Sequence, residues 1–472
     1  MPRGANPEYF GVDAVASIRV GKRKLFRGSS FDPGDVDERQ FSQAIVPILV
    51  FFVIVSSLSL ASVARYYDYL GFFIFDGNRL LLAIPAMLPI ASLAFVFAVG
   101  KPSLGYFLGV HFYSLIFGYM WLAPISTLDY DRQAAMVSAF LSAIAFLVPA
   151  VFIRRTAPRM ATLSAVAHDR LLNLILIFGA VIVAVGAFYN FQIVGLAQMY
   201  QFRPGIEFPA LFRYAVNMTS SALLPFAFAC FVWRGSYGRA AAALMLFLLL
   251  YPVTLTKIAL FAPVWLVFLT VLSRFFEARI AAVLSLLLPL TVGLMSVPLI
   301  MAGVLSHDPV NPILGFVNFR MFAVPSMVLD LYFDFFTKHS VTHFCQISFL
   351  KQIANCPYSD QLGIVMERAY HFGNLNGSLF AVEGVASLGP ALAPLSALAC
   401  GLIVGMANCV SCHLPPKVVF VSSGVLVQAL VNVPFTTGLL THGAALLFLL
   451  WYLTPGSVGA PDSDQGLRNQ AR

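Results

Sequence analysis

Five basic residues from position 203 onward could together bind a polyanion: Arg203, Arg213, Lys257, Arg320 and Arg368. They lie in or beside loops that the hydropathy pattern places on one side of a membrane. Arginine presents a planar fork that can contact two phosphate oxygens at once, so cations from several loops would suit a pyrophosphate group. Each could instead anchor its helix at the membrane surface, with its charge reaching toward lipid headgroups. Four or more of them on one face favour the binding function.

Four acidic or histidine side chains could move protons. Asp330 and Asp334 are four residues apart, so a helix would place both on one side. Such a pair can supply an acid and a base, but its spacing favours a solvated face with an Asp334–Lys338 ion pair. A histidine side chain can take or give a proton, and His371 is the leading candidate for a base. Glu383 stands inside an apolar segment, where a carboxylate needs a cation or a polar cavity. A buried structural salt bridge is the alternative for His371 and Glu383.

The cysteines fall into two groups. Cys345 and Cys356 share one long loop and could form a disulfide if that loop faces an oxidising compartment. Cys409, Cys412 and His413 match the C-x-x-C-H pattern of haem attachment. The predicted topology places that pattern in a cytoplasmic loop, so we interpret these cysteines as reduced structural residues. The chain has no P-loop, nucleotide-binding glycine fingerprint or HExxH zinc motif, which argues against an ATP-driven pump or a zinc protease.

Membrane-spanning helices must position these residues. The chain has 472 residues, of which 59% are hydrophobic and 11% charged, and its mean hydropathy is +0.84. Soluble domains carry about a quarter charged residues, so the composition predicts an integral membrane protein. Helices satisfy their own backbone hydrogen bonds and need about 20 apolar residues to cross the hydrocarbon. The sequence therefore predicts an all-α, polytopic fold with about twelve transmembrane helices. The predicted spans are 44–64, 80–100, 104–125, 134–153, 171–188, 215–233, 240–253, 258–272, 280–304, 377–405, 418–433 and 441–453.

These spans divide the chain into five parts. In chain order these are a polar cytoplasmic tail (1–43), a transmembrane bundle (44–304), a long periplasmic loop (305–376), C-terminal spans (377–453) and a second cytoplasmic tail (454–472). With both termini in the cytoplasm, 19 of the 29 lysines and arginines fall on the cytoplasmic side, as the positive-inside rule requires. The net charge of +8 therefore orients the protein in the membrane and does not indicate a nucleic-acid partner. Within the long loop, residues 316–338 are predicted to form a helix lying near the membrane surface.

Five stretches between Tyr200 and the C-terminus resemble motifs of the O-antigen polymerase (Wzy-like, oligosaccharide repeat-unit polymerase) family of bacterial inner membranes. They are Tyr200-Gln-Phe-Arg203 with Tyr214 and Pro225, Thr256-Lys257 with Pro263, Arg320-Met-Phe-Ala-Val-Pro325 with Tyr332 and Asp334, Glu383-Gly384 with Gly389, and the segment 432–443. The Arg320 stretch is the most specific match. The family often has Asp where Glu383 stands, and its Asn-x-Asn lies closer to that acid than Asn374 and Asn376 do. The first five predicted spans carry no motif.

The resemblance implies a GT-C-like glycosyltransferase that uses lipid-linked sugars. Such an enzyme transfers a glycan from undecaprenyl pyrophosphate to a carrier-linked acceptor repeat unit on the periplasmic face of the inner membrane. The implied partners are this lipid-linked oligosaccharide, membrane lipid, a chain-length regulator and a flippase. No cofactor is expected, and the reaction is expected to be metal-independent. On this hypothesis the pyrophosphate ligands are Arg203, Arg213, Lys257, Arg320 and Arg368, and the catalytic candidates are His371, Glu383, Asp330 and Asp334.

Three alternatives fit parts of the same pattern. A ligase that moves glycan to a lipid acceptor would share the basic outer site. A flippase or transporter of lipid-linked oligosaccharide would need charges distributed among many spans, whereas the charges here are concentrated at one face. A non-catalytic assembly subunit would tolerate the loss of Arg320 and Lys257.

Overall fold

The structure, a computed structural model, describes residues 38–195, 198–202, 205–305, 313–347, 350, 356–374 and 380–456. The regular elements in this part of the chain are all helices, and no β-strand is among them. Ten of the helices are long and apolar enough to cross a membrane. The predicted all-α, polytopic membrane fold is thereby confirmed.

The long helices coincide with most of the predicted spans. Nine of the ten do so, namely Ala44–Tyr66, Leu104–Ile125, Arg132–Phe152, Ala165–Tyr189, Ala210–Trp233, Tyr237–Thr254, Lys257–Phe275, Ala278–Met301 and Ala393–Ser411. The tenth, Leu314–Lys338, lies in the segment that the sequence assigned to the periplasmic loop. The other three predicted spans hold shorter helices, so the structure differs from the prediction of about twelve long spans.

Proline and glycine explain these shorter helices. Pro85 and Pro89 lie in the helix that covers most of the predicted span 80–100. Proline lacks the N–H that continues a helix, and this helix breaks after its second proline. Pro434 interrupts the chain after the next-to-last predicted span, since proline disfavours helical backbone in the preceding residue. Gly443, with a φ of 76°, then starts the final helix from a left-handed backbone that glycine adopts without strain.

The helices are numbered in chain order. The first nine are α1 (Glu38–Tyr66), α2 (Gly77–Leu93), α3 (Val96–Val99), α4 (Leu104–Leu122), α5 (Arg132–Phe152), α6 (Ala165–Tyr189), α7 (Met199–Phe202), α8 (Ala210–Met218) and α9 (Leu224–Trp233). The next ten are α10 (Tyr237–Thr254), α11 (Lys257–Phe275), α12 (Ala278–Met301), α13 (Val324–Lys338), α14 (Leu362–Tyr370), α15 (Ala381–Leu388), α16 (Ala393–Ser411), α17 (Pro416–Leu430), α18 (Phe435–Leu440) and α19 (Ala444–Leu453). Single 3₁₀ turns cover Asp68–Leu70 and Ala123–Ile125. The wider turns of π-helix, which often occur at functional sites, cover Thr219–Leu223 (π1) and Leu314–Ala323 (π2).

α4 is the central helix of the bundle, because every one of its residues is buried. α1 runs parallel to it. The Phe52 ring packs near the Tyr113 ring, with 6.4 Å between their centres. One to two turns further along both helices, Leu60 approaches Gly118.

α12 and α17 begin at the same end of the bundle as α4. The charged groups of Glu277 and Arg279, at the start of α12, lie close enough to Tyr106 in the first turn of α4 to act on it electrostatically. Lys417, at the start of α17, is also within electrostatic range of Glu277. We call this end of the bundle the lower end, and the end at which α1, α4 and α12 finish the upper end.

The helix formed by π2 and α13 together, Leu314–Lys338, crosses the bundle toward its upper end, and we call it the crossing helix. Asn318 Nδ2 donates a hydrogen bond to Ser59 Oγ of α1 at 2.8 Å. Ser326 Oγ donates one to the Leu115 carbonyl of α4 at 3.0 Å. About 12 Å of helix axis separates Asn318 from Ser326. Asn318 also donates to the Leu290 carbonyl, 12 residues after the start of α12, while Leu115 is 11 residues after the start of α4, so the two contacts lie at nearly the same height above the lower end. A helix parallel to α1 and α4 would change height by all of the roughly 12 Å between these two residues. The crossing helix is therefore strongly inclined to its neighbours.

The helix predicted at 316–338 is therefore present, and its second half packs inside the protein. All of α13 except its last two residues is buried. On the bundle side Phe333 packs against Tyr119, and on the other side Phe335 packs against Tyr358 of the following loop. Of the apolar residues that predicted contact with lipid, Val324, Leu331 and Phe335 are buried, Phe319 is partly buried and Phe316 is exposed.

Two glycines permit the close approach of the crossing helix. A Cβ on Gly118 of α4 would overlap the Ser326 hydroxyl. A Cβ on Gly293 of α12 would overlap the side-chain oxygen of Asn318, whose amide also donates to the Leu290 carbonyl at 3.0 Å. Larger residues at either glycine would therefore push the helix away from the bundle.

The connection between α5 and α6 lies across the lower end, and we call residues 153–164 the strap. Its backbone is hydrogen-bonded to the ends of two other helices. Ala157 N donates to the Cys409 carbonyl at 3.3 Å, at the end of α16. Leu163 N donates to the Leu453 carbonyl at 2.9 Å, at the end of α19. The strap thus joins α5, α6, α16 and α19 at this end of the bundle.

Candidate functional site at the upper end

Asp330 joins the crossing helix to the connection between α4 and α5. Its Oδ2 accepts a hydrogen bond from Ser126 Oγ at 2.6 Å, and its Oδ1 accepts one from the Tyr130 hydroxyl. The carboxylate is buried, with 5% of the residue exposed. Burial, and then the Asp330 charge, raise the pKa of the Tyr130 hydroxyl, which therefore stays protonated and remains a donor.

Asp334, one turn later, joins the crossing helix to α14. Its Oδ1 accepts from Lys338 Nζ at 2.5 Å, and its Oδ2 accepts from the Tyr370 hydroxyl at 2.6 Å. The Asp334–Lys338 ion pair expected from the spacing is confirmed. The face that carries it is not solvated, however, since 6% of Asp334 is exposed. Burial, and then the hydrogen bond to Asp334, raise the pKa of the Tyr370 hydroxyl, so this tie also persists at neutral pH.

His371 directly follows Tyr370 and is exposed. α14 ends at this residue, whose φ of 53° is left-handed and whose N–H donates to the Glu367 carbonyl at 2.8 Å. The next residue, Phe372, packs edge-to-face against Phe319 of π2, with 6.4 Å between the ring centres. His371 is therefore flanked on both sides by residues that contact the crossing helix.

Arg320 directly follows Phe319, and its side chain is exposed. Among the residues that the structure describes, its guanidinium has no ion-pair or hydrogen-bond partner. Because the rings of Phe319 and Phe372 are in contact, Arg320 and His371 are each one residue away from the same contact. The structure therefore places the leading predicted base and the cation of the most specific motif next to one ring contact at the upper end.

Lys257 lies near the same part of the bundle. It opens α11, whose last turn carries Arg274 within electrostatic range of Lys417 at the lower end, so Lys257 is at the upper end. One turn into α11, Phe261 contacts Phe316, and 5.3 Å separates the ring centres. Phe316 is one turn before Arg320. The start of α11 and the basic part of π2 are thus neighbours.

The remaining predicted cations are arranged differently. Arg213, on α8, is exposed and, within the described ranges, has no ion-pair partner. Arg203 lies outside the described residues. Arg368 is engaged by Asp360, with 2.6 Å between the guanidinium and the carboxylate. Of the predicted cations, Arg320 and Lys257 therefore lie on neighbouring parts of the upper end, whereas Arg368 is paired with Asp360.

Among the residues that the structure describes, no cation pairs with Glu383. Its Oε2 accepts a hydrogen bond from Phe435 N at 3.0 Å, and the Thr436 side chain also bonds to it. The salt-bridge alternative is not observed within the described part of the chain. We therefore interpret Glu383 as a residue that joins α15 to the start of α18.

The sequence did not single out the hydroxyl and histidine groups that form side-chain hydrogen bonds in this part of the bundle. Ser126, Tyr130 and Tyr370 bind the two aspartates. Ser221, in π1, has its Oγ 3.2 Å from His442 Nδ1. The available signals were weak: Tyr130 lies between two aspartates in the sequence, and Tyr370 precedes the predicted base.

The cysteines follow the predicted division. Cys345 and Cys356 are joined in a disulfide, with 5.4 Å between their Cα atoms, so the pairing that the sequence left open is present. Cys409 and Cys412, near the lower end, are free thiols. Among the described residues, no group of three or more His, Cys, Asp and Glu side chains is placed to hold a metal ion.

Comparison of the chain with protein-family models, curated proteins and solved structures finds no match. The assignment of a function therefore depends on the chemistry of the upper end. An exposed arginine can bind an anion there, and an adjacent exposed histidine can accept a proton. Buried carboxylates and tyrosines below them fix the helices that carry both groups.

Proposed function

We propose that the protein is a polysaccharide repeat-unit polymerase, which transfers a glycan from undecaprenyl pyrophosphate to a carrier-linked acceptor repeat unit on the periplasmic face of the bacterial inner membrane. The observation that carries the proposal is the exposure of Arg320 and His371 beside the contact between Phe319 and Phe372. The order of motifs from Tyr200 onward, which resembles that of the O-antigen polymerase family, supports the same assignment.

The reaction requires charge stabilisation and one proton transfer. The acceptor hydroxyl oxygen forms a bond to the anomeric carbon, while the bond from that carbon to the pyrophosphate oxygen breaks. The electron pair of the broken bond stays on the pyrophosphate, where Arg320 and Lys257 stabilise the added charge. The hydroxyl proton passes to His371, which is exposed and can reach a bound acceptor. Arg213 is a further ligand for the carrier phosphates at the same end.

Replacing either central residue should stop polymer formation. In Arg320→Ala and His371→Ala we expect long-chain glycan to disappear, because each change removes a reacting or charge-stabilising group. The protein should remain in the membrane, because neither change removes a described packing contact. Removing one such group typically lowers the rate by about 10²–10³-fold. Glycan ladders on gels, with immunoblots of membrane fractions, measure both quantities.

Arg155→Ala is the matched control, because Arg155 is an exposed arginine on the strap at the lower end. Its ladder should be unchanged. Normal ladders in both Arg320→Ala and His371→Ala would contradict the assignment. Deletion of the gene separates a polymerase from a ligase, since carrier-linked single repeats accumulate without a polymerase and carrier-linked long chains accumulate without a ligase.

A further inference from the structure

We propose that residues 370–372 form a two-point clamp on the crossing helix, in which Tyr370 and Asp334 are positioning residues that hold His371 beside Arg320. This inference rests on the proposed polymerase function for its kinetic consequences, but not for its geometry. It gives Asp334 a role different from the catalytic one considered from sequence, and it adds Tyr370, which the sequence did not single out.

The first point of the clamp is a hydrogen bond between side chains of two helices. The Tyr370 hydroxyl donates to Asp334 Oδ2 at 2.6 Å, while Lys338 holds the other carboxylate oxygen at 2.5 Å. Asp334 is buried, so neither donor is easily replaced by water. The last helical residue of α14 is therefore fixed to one place on α13.

The second point is a contact of aromatic rings. Phe372 packs edge-to-face against Phe319, with 6.4 Å between ring centres, and against Phe72 of the connection after α1, with 4.7 Å. Phe319 in turn stacks on Tyr67, with 4.0 Å between centres. Such pairs contribute about 0.5–1.5 kcal/mol beyond the area they bury.

The two points act on the residue between them. His371 has a left-handed backbone, with φ of 53°, which is unfavourable for a residue with a side chain and persists where the surroundings fix it. Tyr370 and Phe372 are the neighbours that fix it. Because Phe319 precedes Arg320, the same ring contact that orients His371 also sets its position relative to that arginine.

The aspartates are poorly placed to react themselves. A general base must come within hydrogen-bond reach of the proton that it accepts. Both oxygens of Asp334 are occupied by Tyr370 and Lys338, and both oxygens of Asp330 are occupied by Ser126 and Tyr130. Exposed His371 meets the requirement, whereas the two buried carboxylates hold the helices around it.

Crosslinking tests the geometry without reference to activity. The full chain would carry His371→Cys and Arg320→Cys, with its four free cysteines replaced by serine. A short bismaleimide should join the two positions efficiently. Tyr370→Phe should reduce the yield several-fold, because the ring remains but the tie to Asp334 is lost. Tyr358→Phe is the matched control, since it removes a hydroxyl that donates to the Ser340 carbonyl at 2.7 Å in the same loop, and it should leave the yield unchanged.

Kinetics test the positioning role in the otherwise native chain. Tyr370→Phe should lower kcat by about ten- to hundredfold with little change in KM, because a displaced base impairs the chemical step more than binding. Asp334→Asn, which keeps an acceptor oxygen for Tyr370, should retain more activity than Asp334→Ala. Tyr358→Phe should behave like the parent protein.

The proposal requires both results. The clamp would be overturned if the chain with His371→Cys and Arg320→Cys formed no crosslink, or if adding Tyr370→Phe left the crosslinking yield unchanged. A reduced crosslink with unchanged kcat would overturn the positioning role. If Tyr370→Phe does not accumulate in the membrane, Asp334→Asn and Asp334→Ala decide both points. If the unsubstituted protein extends no lipid-linked glycan, the proposed function is refuted. The crosslinking yield would still show whether the clamp exists.

Discussion

Asp330 connects parts of the molecule that are far apart in sequence. It accepts hydrogen bonds from Ser126 and Tyr130, and the positive charge of Arg132 acts on it from the same connection. A buried donor that loses its acceptor costs about 1–3 kcal/mol. At the scale of single residues, this carboxylate therefore contributes to the stability of the bundle beneath the site.

Asp330→Ala should lower the free energy of unfolding by about 1–3 kcal/mol, because the buried Ser126 hydroxyl and the partly buried Tyr130 hydroxyl lose their acceptor. Asp330→Asn should cost less, since its amide oxygen can still accept. Thermal unfolding of the purified protein in detergent measures the difference. Asp360→Ala, which breaks the exposed pair with Arg368, is the control and should cost about 0–1 kcal/mol. Equal losses for the two alanine variants would count against the role given to Asp330.

Local and distant contacts of these residues were not equally predictable. The ion pair of Asp334 with Lys338 follows from helix geometry, which places residues four apart on one side. The bond from Tyr130 to Asp330 spans 200 positions of sequence and depends on how whole helices pack. The sequence therefore predicted Arg320 and His371 as site residues, but it contained only weak signals for the tyrosines that hold their helices.

The crossing helix shows the same limit at the scale of an element. The sequence predicted a helix at 316–338, and Leu314–Lys338 is helical. Its composition suits a membrane span, a surface helix or a buried helix equally well. The orientation is decided by Gly118 and Gly293, which leave room for Ser326 and Asn318. Glycine is common in transmembrane helices, so neither position could be recognised in advance as a contact site.

Gly293→Leu should displace the crossing helix and destabilise the protein by about 1–3 kcal/mol, because the added side chain overlaps Asn318. Melting temperature and the yield of monodisperse protein report the loss. Gly238→Leu on α10 is the control, since a Cβ there would meet nothing within 4 Å, and it should be nearly neutral. The double variant Asn318→Ala, Gly293→Ala should lose less stability than the sum of the losses in the two single variants. Strict additivity would argue that the two residues do not compete for space.

At the scale of the whole molecule, the two ends differ in charge. Near the lower end Arg234 and Arg239 share one carboxylate, Asp169, and the strap carries three further arginines. The upper end carries the aspartates of the crossing helix. The sequence predicted that the basic loops share one side, and the structure gathers these groups away from the crossing helix. The side of the membrane that each end faces stays a prediction of the positive-inside rule.

Thiol labelling in intact cells tests this orientation. In a chain whose four free cysteines are replaced by serine, Gln361→Cys should react with a membrane-impermeant maleimide, because this exposed position is at the predicted periplasmic end. Arg155→Cys should react only after the cells are permeabilised. The reverse pattern would show that the upper end faces the cytoplasm, which would exclude a periplasmic polymerase site.

The strap determines which movements the bundle can make. Its hydrogen bonds to the ends of α16 and α19 involve backbone groups, so no change of side-chain rotamer can release them. Separating the helices at this end would break these two backbone hydrogen bonds, whose donors, Ala157 and Leu163, are partly buried. The strap therefore joins these helices more firmly at the lower end than side-chain contacts alone would. On the proposed function we expect a lipid-linked substrate to enter sideways between helices near the crossing helix, whereas an alternating-access path, as a flippase needs, would require these hydrogen bonds at the lower end to break.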